Sequence, residues 1–210
     1  MIGLIFSRKN EKTTILISFW LINLFSKLYM CGRFNFSNHK DLNKQPKDKV
    51  TPSFNIAPSQ NVLTINSNED IISIKWGYQP DWLKKGQIIN AQRETLKTKP
   101  TFRGYLQCYV PINGWYEWLR EGSSKQPYYF YSTQDTMYVK SIVKDNSLIL
   151  LTTKAIDNIS HIHHRMPLIV NEPNFMNWNL NRVDMNVDFY PVSKKVNYAL
   201  NEGKELITPV

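Results

Sequence analysis

The sequence predicts an α+β domain built mainly on antiparallel strands, with short helices. Three observations carry that expectation. Apolar, β-branched and aromatic runs of roughly four to eight residues recur along the chain, bounded by Gly, Pro, Asn and Asp. Stretches with helical character are short and polar. No strand alternates with a longer amphipathic helix, so the signature of a parallel βαβ sheet is missing.

The elements follow in chain order. Gly32 to Phe36 reads as a short strand, and Ser37-Asn38 offers an N-cap for a polar helix over 38–46. Residues 51–60 hold Pro52 and Pro58 and read as an extended loop. Val62 to Ile65 and Ile71 to Trp76 form two strands about the polar turn Asn66 to Asp70. Gly77 to Trp82 is a loop with aromatic tips, and Ile88 to Ala91 is a short apolar segment ending in polar residues. A helix starts over Glu94 to Lys97 and stops before Pro100. Tyr105 to Pro111 and Gly114 to Leu119 are strands, the second closed by a turn at Glu121 to Ser124. Tyr128 to Ser132 and Met137 to Val143 are expected to pair with each other, antiparallel. Ser147 to Thr153 has the composition of a buried strand. Asp157 is placed to cap a short helix running toward His163, and Pro167 to Val170 is a strand. Pro173, after Asn171, starts a helix over 173–180. Tyr190 to Ser193 and Leu206 to Pro209 end the chain as strands. There is no internal repeat, linker or low-complexity stretch, so residues 30–210 are expected to form one domain.

Composition narrows the function classes. The 210 residues are 42% hydrophobic and 13% aromatic, which argues against disorder in the body of the chain. The formal charge is +9, of which +3 precedes Met30 and +6 follows it. A basic body rich in Trp, Tyr and Phe suits a single-stranded nucleic acid, through phosphate attraction and base stacking; the plain alternative is a basic protein with no such partner. The two cysteines, Cys31 and Cys108, are too few for a disulfide framework and form no CxxC zinc pair, which favours a reducing, intracellular setting. Cys108 lies within an apolar strand and reads as a core residue.

The stretch 13–29, TTILISFWLINLFSKLY, admits three readings. A signal peptide would use Arg8, Lys9 and Lys12, but no small-residue cleavage site follows, and a lipoprotein anchor would need a small residue where Met30 stands. A membrane anchor would need roughly 20 apolar residues, and the core Ile15 to Phe25, interrupted by Asn23, is about half of that. The third reading places translation start at Met30 and leaves residues 1–29 outside the mature protein. It is preferred because of the residue that follows.

Cys31 comes directly after a methionine. With Met30 removed it would carry an α-amine and a thiol on adjacent carbons, with ordinary pKa values of about 8 and 8.5. Such a pair attacks an aldehyde through the amine, and the thiol then closes a five-membered thiazolidine ring in an intramolecular step. The alternative is a structural cysteine. Three further groups are candidates. Asn90, at the end of an apolar run with Arg93 and Glu94 close behind, can hold a substrate oxygen or simply satisfy a strand end. In Asn113-Gly114-Trp115-Tyr116-Glu117-Trp118, strand alternation puts Trp115 and Glu117 on one face and Tyr116 and Trp118 on the other. A carboxyl beside a tryptophan in a dry site has its pKa raised, which suits a general acid; an exposed strand glutamate is the alternative. Three of the four histidines fall in His161-Ile162-His163-His164-Arg165-Met166-Pro167. Without acidic or thiol partners at ligand spacing, a metal site is disfavoured and a single acid–base histidine preferred.

Taken together, these stretches resemble the SOS response-associated peptidase (SRAP) family of abasic-site DNA–protein crosslinking domains. The matching segments are MCGRF (30–34), FNIAPSQ (54–60), WGYQPDW (76–82), INAQRET (89–95), CYVPINGWYEW (108–118), QPYYF (126–130), LLTTKA (150–155), IHHRMP (162–167), YPVSKKVN (190–197) and LITPV (206–210). Their shared order makes the resemblance more specific than any one of them. It implies a compact, barrel-like α+β domain with a basic groove, and a substrate that is an abasic site in single-stranded DNA. It implies that Met30 is removed and that Cys31 forms a thiazolidine with the sugar C1 carbon. By the same resemblance Asn90 orients the cysteine, Glu117 handles protons, His163 assists imine formation and reversal, and Thr152 lines the pocket. Arg33 is expected to meet a phosphate and Trp82 to lie against bases. No metal or other cofactor, no membrane and a monomeric, cytoplasmic, nucleoid-associated protein are the corresponding expectations, with autoproteolytic removal of the methionine by the same residues.

Two departures stand out. Where the family usually has Asn-Ala-Arg, this chain has Asn90-Ala91-Gln92, which keeps a hydrogen-bonding group and loses a charge. The strand from Tyr138 to Asp145 is more charged than its family counterpart. Two other function classes compete with the crosslinking enzyme: a module that holds single-stranded DNA without covalent chemistry, and an exported or membrane-anchored protein that keeps residues 1–29.

Overall fold

The computed structural model describes residues 31–38, 42, 46–47, 51–133, 136–181 and 186–210. Among them are thirteen strands: β1 (Phe34–Phe36), β2 (Ser53–Ile56), β3 (Asn61–Asn66), β4 (Ile71–Trp76), β5 (Asn90–Gln92), β6 (Leu106–Ile112), β7 (Gly114–Glu121), β8 (Ser124–Tyr131), β9 (Met137–Lys144), β10 (Ser147–Lys154), β11 (Arg165–Pro167), β12 (Ile169–Val170) and β13 (Asp188–Pro191). The helices among the described residues are single turns of 3-10 type at Arg93–Thr95, Pro100–Phe102, Lys194–Asn197 and Lys204–Ile207. The architecture is the mainly antiparallel, barrel-like domain that the sequence predicts.

One sheet closes on itself. β10, β4, β3, β6 and β9 are hydrogen-bonded in that order, and β9 returns to β10. Closure removes the free edges that an open sheet would present. β10 is its hub. Its first half pairs antiparallel with β9 and parallel with β4, and its second half pairs parallel with β5 and antiparallel with β11. Buried on both faces, it reads as the apolar run Leu148-Ile149-Leu150-Leu151, which is what such a position demands. A second sheet runs β13-β8-β7-β1-β2, all antiparallel.

The core divides by strand alternation. Leu148 and Leu150 face one cluster with Phe34, Trp76, Val110, Trp115 and Phe130, which joins the two sheets. Ile149 and Leu151 face a second with Tyr78, Ala91, Leu96 and Phe102, on the side covered by the first two 3-10 turns. Tyr116, Tyr129, Val192, Val196 and Leu206 form a third on the outer side of β7 and β8. Trp115 with Glu117 and Tyr116 with Trp118 therefore occupy opposite faces of β7. Cys108 is buried in the first cluster.

Gly114 opens β7 where the neighbouring strand β8 presses closely on it. A Cβ there would lie 2.4 Å from the Phe130 carbonyl oxygen and 2.4 Å from the Tyr129 ring and hydroxyl. The carbonyl belongs to a strand paired with β7 and cannot give way. Gly114→Ala is expected to destabilise the fold by about 3 kcal/mol, read as a lower urea midpoint.

Several elements differ from expectation. Residues 53–56 form a strand although two prolines flank them, because both prolines lie outside the span that pairs with β1. β8 and β9 do not pair with each other: β8 lies between β7 and β13, and β9 joins β6, β10 and β12. No helix forms over 173–180. Asn174 accepts from the Asn177 N–H and Asn179 from the Asn181 N–H, so asparagine side chains take the donors a helix would need. Residues after Asp157 make turns rather than a capped helix, and Lys204–Ile207 is a 3-10 turn where a strand was expected, leaving only a bridge between Val192 and Pro209. The expected 94–97 helix is the single turn Arg93–Thr95. The helix expected over 38–46 falls largely outside the described residues.

Candidate active site

β1 brings the chain from Cys31 alongside β7, with Phe34 opposite Trp115. The Tyr116 N–H donates to the Arg33 carbonyl, which holds the incoming segment against the sheet. Cys31 is buried, 2% exposed, and so is Glu117, at 3%. Glu117 projects from the inner face of β7, and its Oε1 accepts from both the Cys31 N–H, at 3.0 Å, and the Cys31 thiol, at 2.8 Å. His163 Nδ1 stands 3.8 Å from Glu117 Oε2. It is 3.0 Å from the Arg165 carbonyl oxygen and 3.2 Å from the Arg165 N–H, so the backbone of β11 orients the ring in either tautomer.

Burial sets the protonation of all three. It pushes the Glu117 carboxyl up to about 8, against the two hydrogen bonds from Cys31 that favour the anion. Near neutral pH this group is therefore largely a carboxylic acid held against a thiol. Burial, then the Glu117 charge and hydrogen bond, raise the Cys31 thiol well above its ordinary value, with the Arg165 charge acting the other way. Burial also lowers His163; the backbone bond to Arg165 opposes this, and the charges of His164, Arg120 and Arg165 add to it. The imidazole is thus neutral at pH 7. Carboxyl and thiol are in direct hydrogen-bond contact, while the imidazole stands beyond hydrogen-bond reach of the carboxyl at 3.8 Å.

Cys31 has φ of +46°, in the left-handed region that non-glycine residues avoid. A single residue held there costs about 1–3 kcal/mol.

Behind the cluster lies a second network. Thr152, fully buried on β10, sits between Gln92 of β5 and Pro167 of β11. Arg165 Nη1 and Nη2 donate to the two Glu94 carboxylate oxygens at 3.0 and 2.8 Å. Nη2 also donates to the Thr152 carbonyl at 2.7 Å and lies 3.3 Å from its hydroxyl. Burial works against the Glu94 anion, but Arg165, the local backbone and Arg93 outweigh it and hold its carboxyl low.

The remaining expected residues are placed as follows. Asn90 begins β5, half-buried, in register with Leu150. The chain after Cys31 passes close to this strand, since a Cβ on Gly32 would lie 4.0 Å from Ile89 Cδ1. Arg33 is drawn inward: Nη1 donates to Asn55 Oδ1 and the Val196 carbonyl, each at 2.8 Å, while Nη2 reaches the Asn197 carbonyl at 3.4 Å on the exposed side. Trp82 is 63% exposed on the loop between β4 and β5 and is not part of the buried cluster. Arg93 donates to the Leu180 carbonyl and does not take the place of the charge absent at Gln92. Lys140, the unexpected charge in β9, is buried and donates to the Asn179 carbonyl at 2.8 Å. Of the other histidines, His161 packs near Phe189 and His164 against His163. Among the described residues no group of three or more His, Cys, Asp or Glu could hold a metal ion.

Arg165, Glu94 and Asn55 all lie within the matching segments, and their contacts are not legible from sequence. Asn55 is fully buried and donates to the carbonyls of Tyr198 and Asn201 as it accepts from Arg33. The signal for it was an asparagine inside the apolar stretch Phe54-Asn55-Ile56-Ala57.

Fold and site define a closed β-domain with a cysteine, a carboxyl and an imidazole gathered where the start of β1, the inner face of β7 and the segment before β11 meet. A family model described as SOS response associated peptidase (SRAP) matches residues 30–199. The chain belongs to that family. It is similar to the abasic site processing protein YoqW of Bacillus subtilis (strain 168), 32% identical over 222 residues, covering 85% of this chain and 99% of that protein. It is similar to the abasic site processing protein YedK of Escherichia coli (strain K12), 25% identical over 224 residues, with 86% and 100% covered. Among solved structures, a protein from Bacteroides thetaiotaomicron superposes with a TM-score of 0.70 at 20% identity, covering 86% of this chain and 100% of its own. A phage-related protein from Bordetella bronchiseptica gives 0.60 at 20%, covering 78% and 95%. These two likenesses concern the fold.

Proposed function

We propose that this protein recognises abasic sites in single-stranded DNA and joins itself to them through Cys31, once the chain begins at that residue. One observation carries the proposal: the nitrogen and the sulfur of Cys31 both donate to one oxygen of a buried glutamate. In the full chain that nitrogen is an amide. In a chain starting at Cys31 it is a primary amine, and the same geometry offers amine and thiol side by side to an incoming aldehyde. The names of the relatives, abasic site processing proteins, support the choice of aldehyde.

The amine adds to the C1 carbon of the ring-opened sugar, and Glu117, held as the acid, protonates the departing hydroxyl. His163, neutral beside it, relays the proton as the imine forms and as it reverses. The thiol closes the thiazolidine. Asn90 orients the cysteine, and Thr152 lines the pocket. Arg33 presents its exposed Nη2 edge to a phosphate, and Trp82 offers a ring to the bases. The same residues remove Met30, and residues 1–29 lie outside the mature protein. The protein acts as a monomer.

The test uses a chain starting at Met30, whose intact mass establishes loss of the methionine. Incubated with single-stranded DNA carrying an abasic site, it is expected to give an adduct stable to denaturation, absent with Cys31→Ala. A methionine-free protein that binds such DNA but forms no adduct would instead be a non-covalent binding module.

A further inference from the structure

Two cations oppose each other near the end of the β7–β8 hairpin. Arg120 and Lys125 are directly paired in the antiparallel register, so both side chains leave the same face, from Cβ atoms about 5 Å apart. Both are exposed, and among the described residues neither has a hydrogen bond or an ion pair. Like charges in that relation destabilise a strand pair. Glu121, the next residue, lies on the opposite face by alternation and does not compensate them. The face of Arg120 continues through Trp118, whose Nε1 donates to Asn197 Oδ1 at 2.6 Å. Asn197 ends the 3-10 turn that Lys194 and Lys195, both exposed, begin, and its carbonyl accepts from Arg33 Nη2 at 3.4 Å. Glu202, beyond that turn, is taken up by the Ser53 hydroxyl and the Phe54 N–H. A strip of cations thus runs from the hairpin to Arg33, next but one to Cys31. His163 also feels the Arg120 charge, so the hairpin end of the strip stands beside the site.

Resting on the function proposed above, we infer that this strip is the track of the single strand on one flank of the lesion, with one phosphate held between Arg120 and Lys125. An opposed pair of like charges is a cost to the free protein, and an anion seated between them removes it. Two long side chains rooted about 5 Å apart converge readily on one phosphate, the guanidinium as a fork and the ammonium as a point charge. A single strand supplies such an anion at every nucleotide, and exposed, uncompensated cations are what attract it. An acidic protein surface would match the sign, but nothing would bring it to Arg33 and Cys31, where the strip leads. A strand whose lesion sits at Cys31 has to leave along some path, and this one carries the complementary charge. Asn197 holds the path together, since it fixes the Trp118 ring with its side chain and meets Arg33 with its carbonyl. Only one flank of the lesion is served in this way.

The probe is a single strand carrying a tetrahydrofuran abasic analogue, which has no aldehyde, so affinity is read without covalent capture. The analogue stands near the 5′ end of one oligonucleotide and near the 3′ end of another, leaving one flank in each. The full chain is used, and the proteins compared share one N-terminus, read by intact mass. Arg120→Gln combined with Lys125→Gln is expected to bind one of the two oligonucleotides about tenfold more weakly at low salt, with a logarithmic salt slope shallower by about 0.7, and the other as wild type does. The urea midpoint of this variant should equal or exceed that of wild type, because the opposed charges are gone. Lys97→Gln combined with Lys99→Gln removes the same charge from the segment after Arg93–Thr95 and should leave both affinities near wild type. No loss with either oligonucleotide, equal losses with both, or a loss matched by the Lys97 and Lys99 variant would overturn the inference. A wild-type chain beginning at Cys31 that forms no adduct with a true abasic strand removes the proposed function; the affinities, read on an analogue that cannot react, still decide whether the strip carries DNA.

Discussion

Glu117→Gln is expected to slow adduct formation by about a hundredfold or more while making the folded protein more stable than wild type at alkaline pH. The two effects share one cause. A positioned acid contributes about 10²–10⁴ in rate, and glutamine cannot give up a proton. Glutamine also cannot ionise. The Glu117 carboxyl is raised to about 8 in the fold, against about 4.3 in an unfolded chain. A group raised in this way favours the folded state below the unfolded pKa, and that contribution is lost as pH climbs toward the folded pKa. Wild type should therefore lose stability between about pH 4.5 and 8 through this residue, by on the order of 4 kcal/mol. Glutamine keeps a carbonyl oxygen for the two Cys31 donors and is spared that loss. Urea midpoints of both proteins at pH 5 and pH 8.5 separate the cases. The variant should exceed wild type by about 1 kcal/mol at the lower pH and by several times that at the higher. Equal midpoints at both would mean that Glu117 is ionised in the fold at no cost, and its role as an acid would go with that.

The second large effect concerns the residues before Cys31. A chain that keeps residues 1–30 is expected to form no thiazolidine at all. The Cys31 nitrogen is then an amide, whose lone pair is shared with the carbonyl and does not add to an aldehyde. The thiol alone gives only a reversible adduct. Full-length protein is incubated with abasic single-stranded DNA, and the denatured adduct is weighed intact. Its mass should equal residues 31–210 plus the oligonucleotide, less one water. An adduct that still carries residues 1–30 would exclude the amine route.

Much of the fold was legible because the sequence patterns are local. β10 announces itself in Leu148 to Leu151, and β7 in the alternation of Trp115, Tyr116, Glu117 and Trp118. Pairing was less legible. Tyr128 to Ser132 and Met137 to Val143 are adjacent in sequence, and adjacency usually predicts pairing. Here the chain crosses from one sheet to the other between them, and nothing local marks a crossing. The expected helix over 173–180 failed for a readable reason: Asn174, Asn177 and Asn179 are poor helix formers that bond to nearby backbone.

The site divides in the same way. Cys31, Glu117 and His163 could each be singled out by chemistry, and the structure brings Cys31 to one carboxyl oxygen of Glu117 and His163 near the other. What sequence does not carry is burial, and burial decides what Glu117 can do: the same residue on an exposed strand would be an ordinary anion. Arg165 and Glu94 were missed as a pair because 71 residues separate them. Arg33 was assigned by resemblance to phosphate, and its turn toward Asn55 depends on a C-terminal segment more than 160 residues away.

The position of β10 at the centre of the closed sheet has a bearing on folding order. This strand carries Thr152 and seats both the strand of Asn90 and the strand of Arg165, so those residues meet only after it has paired on both sides. Contacts of such long sequence separation form late, because the entropy of loop closure must first be overcome. A nascent or misfolded chain would thus react only as a free aminothiol does, without the acid and base that the site supplies. The acceleration would appear together with the native barrel, and the rate of adduct formation would serve as a stopwatch for the last step of folding.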